Sequence, residues 1–167
     1  MAADEAIRAV LAATLPVLAE PGSTVAAYVP MAGEPGGDGL PDFLTALGHR
    51  VLLPVFRADF DLDWIAYTGV LSAGALRGLR EPAGTGSREA VTEAAVLLVP
   101  ALAVGADGTR LGRGGGSYDR ALARVAPSTP VIALLDDGEF VDEVPGEDHD
   151  RGVTGIITPR GWYATPG

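Results

Sequence analysis

The sequence predicts an α/β protein, a three-layer α/β/α sandwich with a mainly parallel sheet, in a single domain over residues 1–167. Short apolar runs alternate with segments of helical periodicity, as in chains built from β-α-β units. Residues 94–99 (AAVLLV) are apolar at every position, which is typical of a strand buried on both faces. The chain has 167 residues, of which 47% are apolar, and this is enough to form the core of one domain.

The predicted helices share apolar residues at spacings of three and four, which line one face of an α-helix. They cover residues 3–18, 40–47 and 118–125. The first helix ends before Pro21 and Gly22, and Gly48 is a suitable C-cap for the second. A loop rich in glycine, residues 31–39, precedes the second helix.

The predicted strands are short apolar runs bounded by turn residues. They cover residues 24–29, 51–55, 62–67, 94–99, 131–135 and 153–157. Pro54 is expected to interrupt the second strand near its end, because proline lacks the N–H that a ladder needs. Residues 69–86 contain turn residues throughout and are predicted to be mostly loop. The acidic residues Asp59, Asp61 and Asp63 are interpreted as a solvated strand edge, and Trp64 as core.

Composition excludes several classes of protein. Cysteine is absent, which excludes disulfides, thiolate metal sites and a cysteine nucleophile. Lysine is also absent, so the 12 basic residues are all arginine and a Walker-type P-loop is excluded. The net charge of −10 argues against nucleic acid as a partner, and no apolar run is long enough for a membrane helix. Asp4 and Glu5 are unlike a secretory signal, so we expect a cytoplasmic protein, and we expect a monomer.

Residues 99–125 (VPALAVGADGTRLGRGGGSYDRALARV) carry the strongest functional signal. They follow a buried strand, at the edge where ligands bind in such sheets. Four glycines within residues 112–116 let backbone N–H groups approach an anion, and the next helix points its positive end at the same place. Arg110 and Arg113 add paired donors for phosphate, and Asp119 could hold a bridging Mg²⁺. A loop without function explains neither the arginines nor this position.

The same segment resembles the signature of the 5-formyltetrahydrofolate cyclo-ligases, also called methenyltetrahydrofolate synthetases, which typically reads P-x-L-A-F-D-x-x-G-x-R-L-G-x-G-x-G-Y-Y-D-R. Three further segments resemble family motifs. Residues 25–30 with Glu34 resemble Y-x-P-x-x-x-E, residues 76–82 (LRGLREP) resemble the G-I-x-E-P turn, and residues 144–150 (VPGEDHD) resemble V-P-x-E-x-H-D. The likeness covers roughly residues 24–158 in the same order.

The resemblance implies an enzyme that uses ATP and Mg²⁺ to convert 5-formyltetrahydrofolate to 5,10-methenyltetrahydrofolate, with release of ADP and phosphate. The formyl oxygen is first phosphorylated, and N10 then closes the ring. The implied ATP-binding residues are Arg110, Leu111, Gly112, Arg113, Gly114, Gly115, Gly116, Ser117 and Tyr118. The implied folate-binding residues are Val29, Glu34, Arg113, Gly114, Gly115, Gly116 and Ser117. The implied catalytic residues are Arg113 and Tyr118, and the implied metal ligands are Asp119 and Asp150.

Two alternatives stay open. Ser117 stands where the family has the first tyrosine of a pair, and Arg8 is the only basic residue where the family has a Lys-x-x-Leu-Arg pattern. These departures favour a non-catalytic folate- or nucleotide-binding protein on the same fold. A dinucleotide-binding, Rossmann-like enzyme is the remote alternative, because Asp136 follows the glycines, a helix and a strand by about twenty residues. The G-x-G-x-x-G pattern fails, however, in both registers.

Overall fold

A computed structural model describes residues 2–146 and 151–166 of the chain. Its helices are α1 (Ala2–Leu18), α2 (Leu40–Ala46) and α3 (Ser117–Arg124), with a 3₁₀ helix at Glu89–Glu93. Its strands are β1 (Thr24–Ala26), β2 (Arg50–Phe56), β3 (Leu62–Ala66), β4 (Leu71–Ala73), β5 (Arg80–Pro82), β6 (Val96–Val99), β7 (Ala103–Gly105), β8 (Arg110–Leu111), β9 (Val131–Leu134), β10 (Phe140–Val141), β11 (Gly155–Thr158) and β12 (Gly161–Ala164).

Seven strands form the central sheet, in the order β12-β11-β9-β6-β1-β2-β3. The five inner strands pair in parallel, and Val25 of β1 lies opposite both Val51 and Val96. Only the edge strands β12 and β3 run antiparallel to their neighbours. The predicted fold class, a mainly parallel sheet between helical layers, is therefore confirmed. Within the described residues, no helix is long and apolar enough to cross a membrane.

Each inner strand sends alternate side chains into two separate cores. On one face, α1 and α2 pack against the sheet through residues such as Leu11 and Leu44, both fully buried. On the other face, α3 and the 3₁₀ helix pack through Leu122 and Val91. Burying each such side chain stabilises the fold by about 1.5–3 kcal/mol. Because both faces are covered, polar side chains are displaced to the ends of the strands.

Pro54 does not interrupt β2, contrary to the prediction from sequence. It lies opposite Trp64 of β3, whose N–H donates to the Ser87 carbonyl on the far side, at 2.9 Å. Pro54 therefore occupies a non-hydrogen-bonded position, and its nitrogen faces the side where pairing with β1 has already ended at Leu52. The proline removes no ladder hydrogen bond, so the strand continues through it.

Several short strands were not predicted from the sequence. β4 and β5 form a hairpin inside the segment that was predicted to be mostly loop. β7, β8 and β10 form a three-stranded sheet between β6 and β11, and β12 returns antiparallel to β11. The first strand is also shorter than predicted and ends at Ala26. Strands of two to four residues are too short to show a periodicity.

Asp61 is buried, which contradicts the interpretation of Asp59, Asp61 and Asp63 as a solvated edge. Its side chain is 5% exposed, and it accepts hydrogen bonds from Arg124 at 2.7 and 2.5 Å and from Arg88 at 3.1 Å. The hydrogen-bonded Arg124 guanidinium lowers the pKa of Asp61 to about 2. This cluster ties the loop between β2 and β3 to the carboxyl end of α3.

Replacing Asp61 with asparagine should lower the free energy of unfolding at pH 7 by about 1–3 kcal/mol, because it removes the charge beside two arginines. The folded-state pKa lies below that of an unfolded aspartate, about 3.9. Its stabilising contribution is therefore present above about pH 4 and is lost as the pH falls towards 2. Denaturant unfolding between pH 2 and 7 should show a flatter acid limb for the variant than for the wild type.

The exposed pair Arg50–Glu93, whose side chains are 49% and 54% exposed, provides the control. Glu93→Gln should leave both the stability and its acid limb nearly unchanged, since exposed ion pairs contribute little. Parallel acid limbs for wild type and Asp61→Asn would contradict the prediction.

Candidate functional site

A cavity of about 590 Å³ lies at the carboxyl ends of β1, β2 and β6. This volume is in the range of sites that bind small molecules. Twelve of the predicted site residues line it: Val29, Glu34, Arg110, Leu111, Gly112, Arg113, Gly114, Gly115, Gly116, Ser117, Tyr118 and Asp119. Asp150 lies outside the described residues. Residues about 80 positions apart are thus brought together by the parallel order of the strands.

The glycine run joins β8 to α3 along one wall of the cavity. Gly114 has φ +108° and Gly116 has φ +71°, both in the left-handed region that favours glycine. Gly116 is also the N-cap of α3, and it has no side chain to satisfy the first N–H groups of the helix. These N–H groups lack partners within the helix. The run therefore offers an anion-binding surface next to the cavity.

Arg110 is held in the wall of the cavity. Its side chain is 5% exposed, Nη1 donates to the Pro100 carbonyl at 3.1 Å, and Nη2 lies 3.2 Å from Asp119 Oδ1. The guanidinium carbon also lies 5.7 Å from the centre of the Tyr118 ring. Its Nε is buried with no hydrogen-bond partner among the residues that the structure describes. Arg110 is thus a fixed cation whose donors are not all used by the described part of the chain.

Arg113 and Glu34 come from different loops that line the cavity, and their charged groups lie close together. Arg113 is 64% exposed, and its Nη2 lies 3.7 Å from Glu34 Oε2, a distance for an ion pair rather than a hydrogen bond. The other carboxylate oxygen, Oε1, accepts a hydrogen bond from the Met31 N–H at 2.8 Å. Glu34 is therefore fixed by the backbone of its own loop, whereas Arg113 is held only weakly.

Tyr118 stands between the cavity and the core. Its ring meets that of Trp64 edge to face, with centroids 6.5 Å apart, and Trp64 is buried as predicted. Burial raises the pKa of Tyr118 well above its ordinary value; the negative charge of Glu34 adds to this, and Arg110 opposes it. The hydroxyl is therefore protonated at neutral pH and can donate a hydrogen bond, but it is a poor base.

Several residues that line the cavity were missed by sequence reasoning. Tyr28, which donates to the Pro35 carbonyl at 2.7 Å, belongs to the Y-x-P motif and could have been selected from it. Arg77 and Arg80 come from the unpredicted β4–β5 hairpin and add positive charge. Phe60 lies between acidic residues in a turn, and its sequence context carries no signal for a binding site.

Asp119 is the one predicted metal ligand that the structure describes. Its side chain is 41% exposed, and one of its oxygens pairs with Arg110. Within the described residues, no group of three or more acidic, histidine or cysteine side chains could hold a metal ion. Mg²⁺ is often bound by one or two carboxylates together with substrate phosphates and water. Among the described residues, this donor set therefore fits a metal that binds together with a nucleotide.

Comparison with known proteins agrees with the motifs. The model of the 5-formyltetrahydrofolate cyclo-ligase family matches residues 4–159. A 5-formyltetrahydrofolate cyclo-ligase from Mycolicibacterium smegmatis is 48% identical over 145 residues, which cover 83% of this chain and 75% of that protein. The NMR structure of Aquifex aeolicus 5,10-methenyltetrahydrofolate synthetase has a TM-score of 0.77 at 25% identity and covers 98% of this chain and 81% of its own. A synthetase from Mycoplasma pneumoniae shares the fold, with a TM-score of 0.72 at 22% identity over 94% of this chain and 85% of its own.

Two neighbouring glycines in the run should respond differently to substitution by alanine. Gly114→Ala should lower the free energy of unfolding by about 1–2 kcal/mol, because its φ of +108° is strained for any residue with a Cβ. Gly115 has a negative φ, and an added Cβ would meet its nearest neighbours at 3.6 and 3.8 Å, ordinary contact distances. Gly115→Ala is therefore the matched control and should be nearly neutral in chemical denaturation. Equal losses in both variants would show that backbone strain does not distinguish the positions.

Proposed function

Because the chain belongs to the 5-formyltetrahydrofolate cyclo-ligase family, we propose that this cavity binds ATP and 5-formyltetrahydrofolate and closes the folate ring at the expense of ATP. One observation carries the assignment of the site. The glycine run and Arg113 lie on one side of the cavity, and the Glu34 carboxylate faces them from another loop. The cavity thus combines an anion-binding wall with an acceptor for N–H groups, which suits a triphosphate and a pterin together.

The reaction balances without a further reactant. The formyl oxygen attacks the γ-phosphorus of ATP, a new O–P bond forms, and the bond between the γ-phosphorus and the ADP oxygen breaks. N10 then attacks the formyl carbon, the C–O bond to phosphate breaks, and N10 loses its proton. The products are the 5,10-methenyl cation, ADP and phosphate. Since phosphoryl transfer leaves little covalent work to the protein, positioning and charge stabilisation dominate.

The proposed roles follow from how firmly each residue is held. The N–H groups at residues 112–116 and at the start of α3 bind phosphate oxygens. Arg110, fixed by its carbonyl and carboxylate partners, positions this wall. Arg113 is exposed and reaches the transferring phosphoryl group with paired donors. Tyr118 donates a hydrogen bond from its protonated hydroxyl to the bound substrates.

The folate would lie on the side of the cavity formed by the loop after β1. Glu34 accepts hydrogen bonds from N–H groups of the pterin, and such bonds to a carboxylate are strong. Val29 supplies apolar contact at the start of the same loop. The ion pair between Glu34 and Arg113 joins the two subsites, so folate binding and phosphate binding are expected to influence each other.

Mg²⁺ is part of the proposal, with Asp119 and Asp150 as its ligands. When bound, the ion neutralises charge on the phosphate oxygens. We further propose a cytoplasmic monomer that acts on these small molecules, without nucleic acid or membrane as a partner; its net charge of −10 supports the exclusion of nucleic acid. The departure at Ser117 supports a second candidate, a protein that binds folate or nucleotide without catalysis.

The purified protein should form 5,10-methenyltetrahydrofolate from 5-formyltetrahydrofolate only when ATP and Mg²⁺ are both present. The absorbance of the methenyl product measures the reaction, and release of phosphate should match it one to one. Product formation with ATP omitted would rule out the proposed mechanism. Folate binding measured by calorimetry, together with no turnover under any condition, would establish the non-catalytic candidate instead.

Arg113→Ala should lower kcat by about 100-fold or more, with a smaller loss of ATP affinity, because a cation that contacts the transferring phosphoryl group acts mainly when charge moves in the transition state. Arg113→Lys should restore only part of the rate, since an ammonium group lacks the paired donors of a guanidinium. Steady-state kinetics and ATP calorimetry measure both effects. Arg160→Ala, at another exposed arginine that does not line the cavity, is the control and should be silent. A rise in the ATP dissociation constant with unchanged kcat would make Arg113 a phosphate anchor only.

A further inference from the structure

Phe60 has an unusual backbone and an unusual exposure. Its φ is +66°, and it is the only residue other than glycine with a positive φ in the part of the chain that the structure describes. Bulky side chains rarely adopt this region, because their Cβ crowds the backbone there. The side chain is nevertheless 54% exposed and lines the cavity, so burial of the ring in the core does not offset the strain.

The loop that carries Phe60 is fixed at several points. The Phe60 N–H donates to the Arg57 carbonyl at 3.0 Å, and the Phe60 carbonyl accepts a hydrogen bond from the Ser117 hydroxyl. Its neighbours are held as well: Arg88 bridges the Asp59 and Asp61 carboxylates at 2.8 and 3.1 Å. Strain that is held in place by so many contacts is typical of binding and catalytic positions.

The ring of Phe60 stands beside the middle of the glycine run. A Cβ placed on Gly115 would lie 3.8 Å from Phe60 Cδ1, so the ring lies just beyond the space that this glycine leaves empty. Ser117, immediately after the run, holds the Phe60 carbonyl. The contacts thus fix the backbone that carries the ring at the wall where phosphoryl transfer is proposed.

We propose that Phe60 is a substrate-contact residue that stacks against the pteridine ring of the reduced folate. The inference rests on the proposed function. The formyl group is carried by N5 of the pteridine, so that ring must lie next to the transferring phosphoryl group. The adenine of ATP is separated from the γ-phosphate by the ribose and two phosphates. A ring beside Gly115 therefore contacts folate, and aromatic contacts of this kind favour offset or edge-on geometry.

The test compares three variants of Phe60 with a control. Phe60→Ala removes the ring and keeps the strained backbone; it should raise the folate dissociation constant and the folate KM by about tenfold, with ATP affinity changed less than twofold. Phe60→Tyr keeps the ring and should bind folate like the wild type. Phe60→Gly removes ring and strain together, so it should bind folate as weakly as Phe60→Ala while melting at an equal or higher temperature. Phe140→Ala removes a phenylalanine that is 37% exposed and does not line the cavity, and it should change neither affinity.

Each outcome decides the question. Unchanged folate affinity in Phe60→Ala overturns the proposal, and so does a loss confined to ATP, which would make Phe60 a wall for the nucleobase. A lower melting temperature in Phe60→Gly than in the wild type would mean that the ring is structural and would also overturn it. Calorimetric folate binding needs no turnover, so the proposal is tested even if the wild type proves non-catalytic. If the wild-type protein binds no folate, both the proposed function and the proposed contact between Phe60 and the pteridine ring are refuted.

Discussion

The inner strands of the sheet are buried on both faces, and this single constraint decides where polar chemistry can occur in the molecule. β1, β6 and β9 have no solvated face, so all of their residues except Thr24 are apolar and pack into the two cores. Unpaired polar groups within such layers would cost several kcal/mol each. The carboxyl ends of the strands are the nearest places where backbone N–H groups and charged side chains can meet a ligand. The cavity lies at this edge, and its walls are the loops after β1, β2 and β6 together with the glycine run.

The sequence was most informative where a signal is local. The periodicity of α1, the apolar strands and the ten consecutive residues from Arg110 to Asp119 can each be interpreted without knowing the rest of the chain. Pro54 was misjudged because tolerance of a proline depends on where the neighbouring strand ends, which is a tertiary property. Asp61 was misjudged for a similar reason, since its partner Arg124 lies 63 positions away. Phe60 lies in another wall of the site, formed by the loop between β2 and β3. This loop is distinguished by its backbone conformation, which the amino-acid composition does not reveal.

Arginine performs structural work throughout this chain, which contains no lysine. Arg8 donates to the Gly36 carbonyl at 2.9 Å and so fixes the loop that carries Glu34. Arg151 donates to the carbonyls of Leu122 and Val125 at 3.0 Å each, at the end of α3. A cation at that end of a helix also complements the helix dipole. The planar guanidinium group allows one arginine to donate to several carbonyls at once. Arg113 differs from Arg8 and Arg151, because it is exposed and makes a long ion pair with Glu34 in the cavity.

The hydrogen bond between Ser117 and the Phe60 carbonyl couples two positions that are 57 residues apart. Ser117 is 7% exposed, so a tyrosine could not be accommodated there unless the loop between β2 and β3 moved outwards. Because the acceptor is a backbone carbonyl, the bond constrains the path of the loop and the identity of residue 117, but not the side chain at residue 60. An alignment scored column by column would count Ser117 as the loss of an aromatic group. In three dimensions an aromatic ring, that of Phe60, lies beside the same glycine run, and it is contributed by the loop that Ser117 holds.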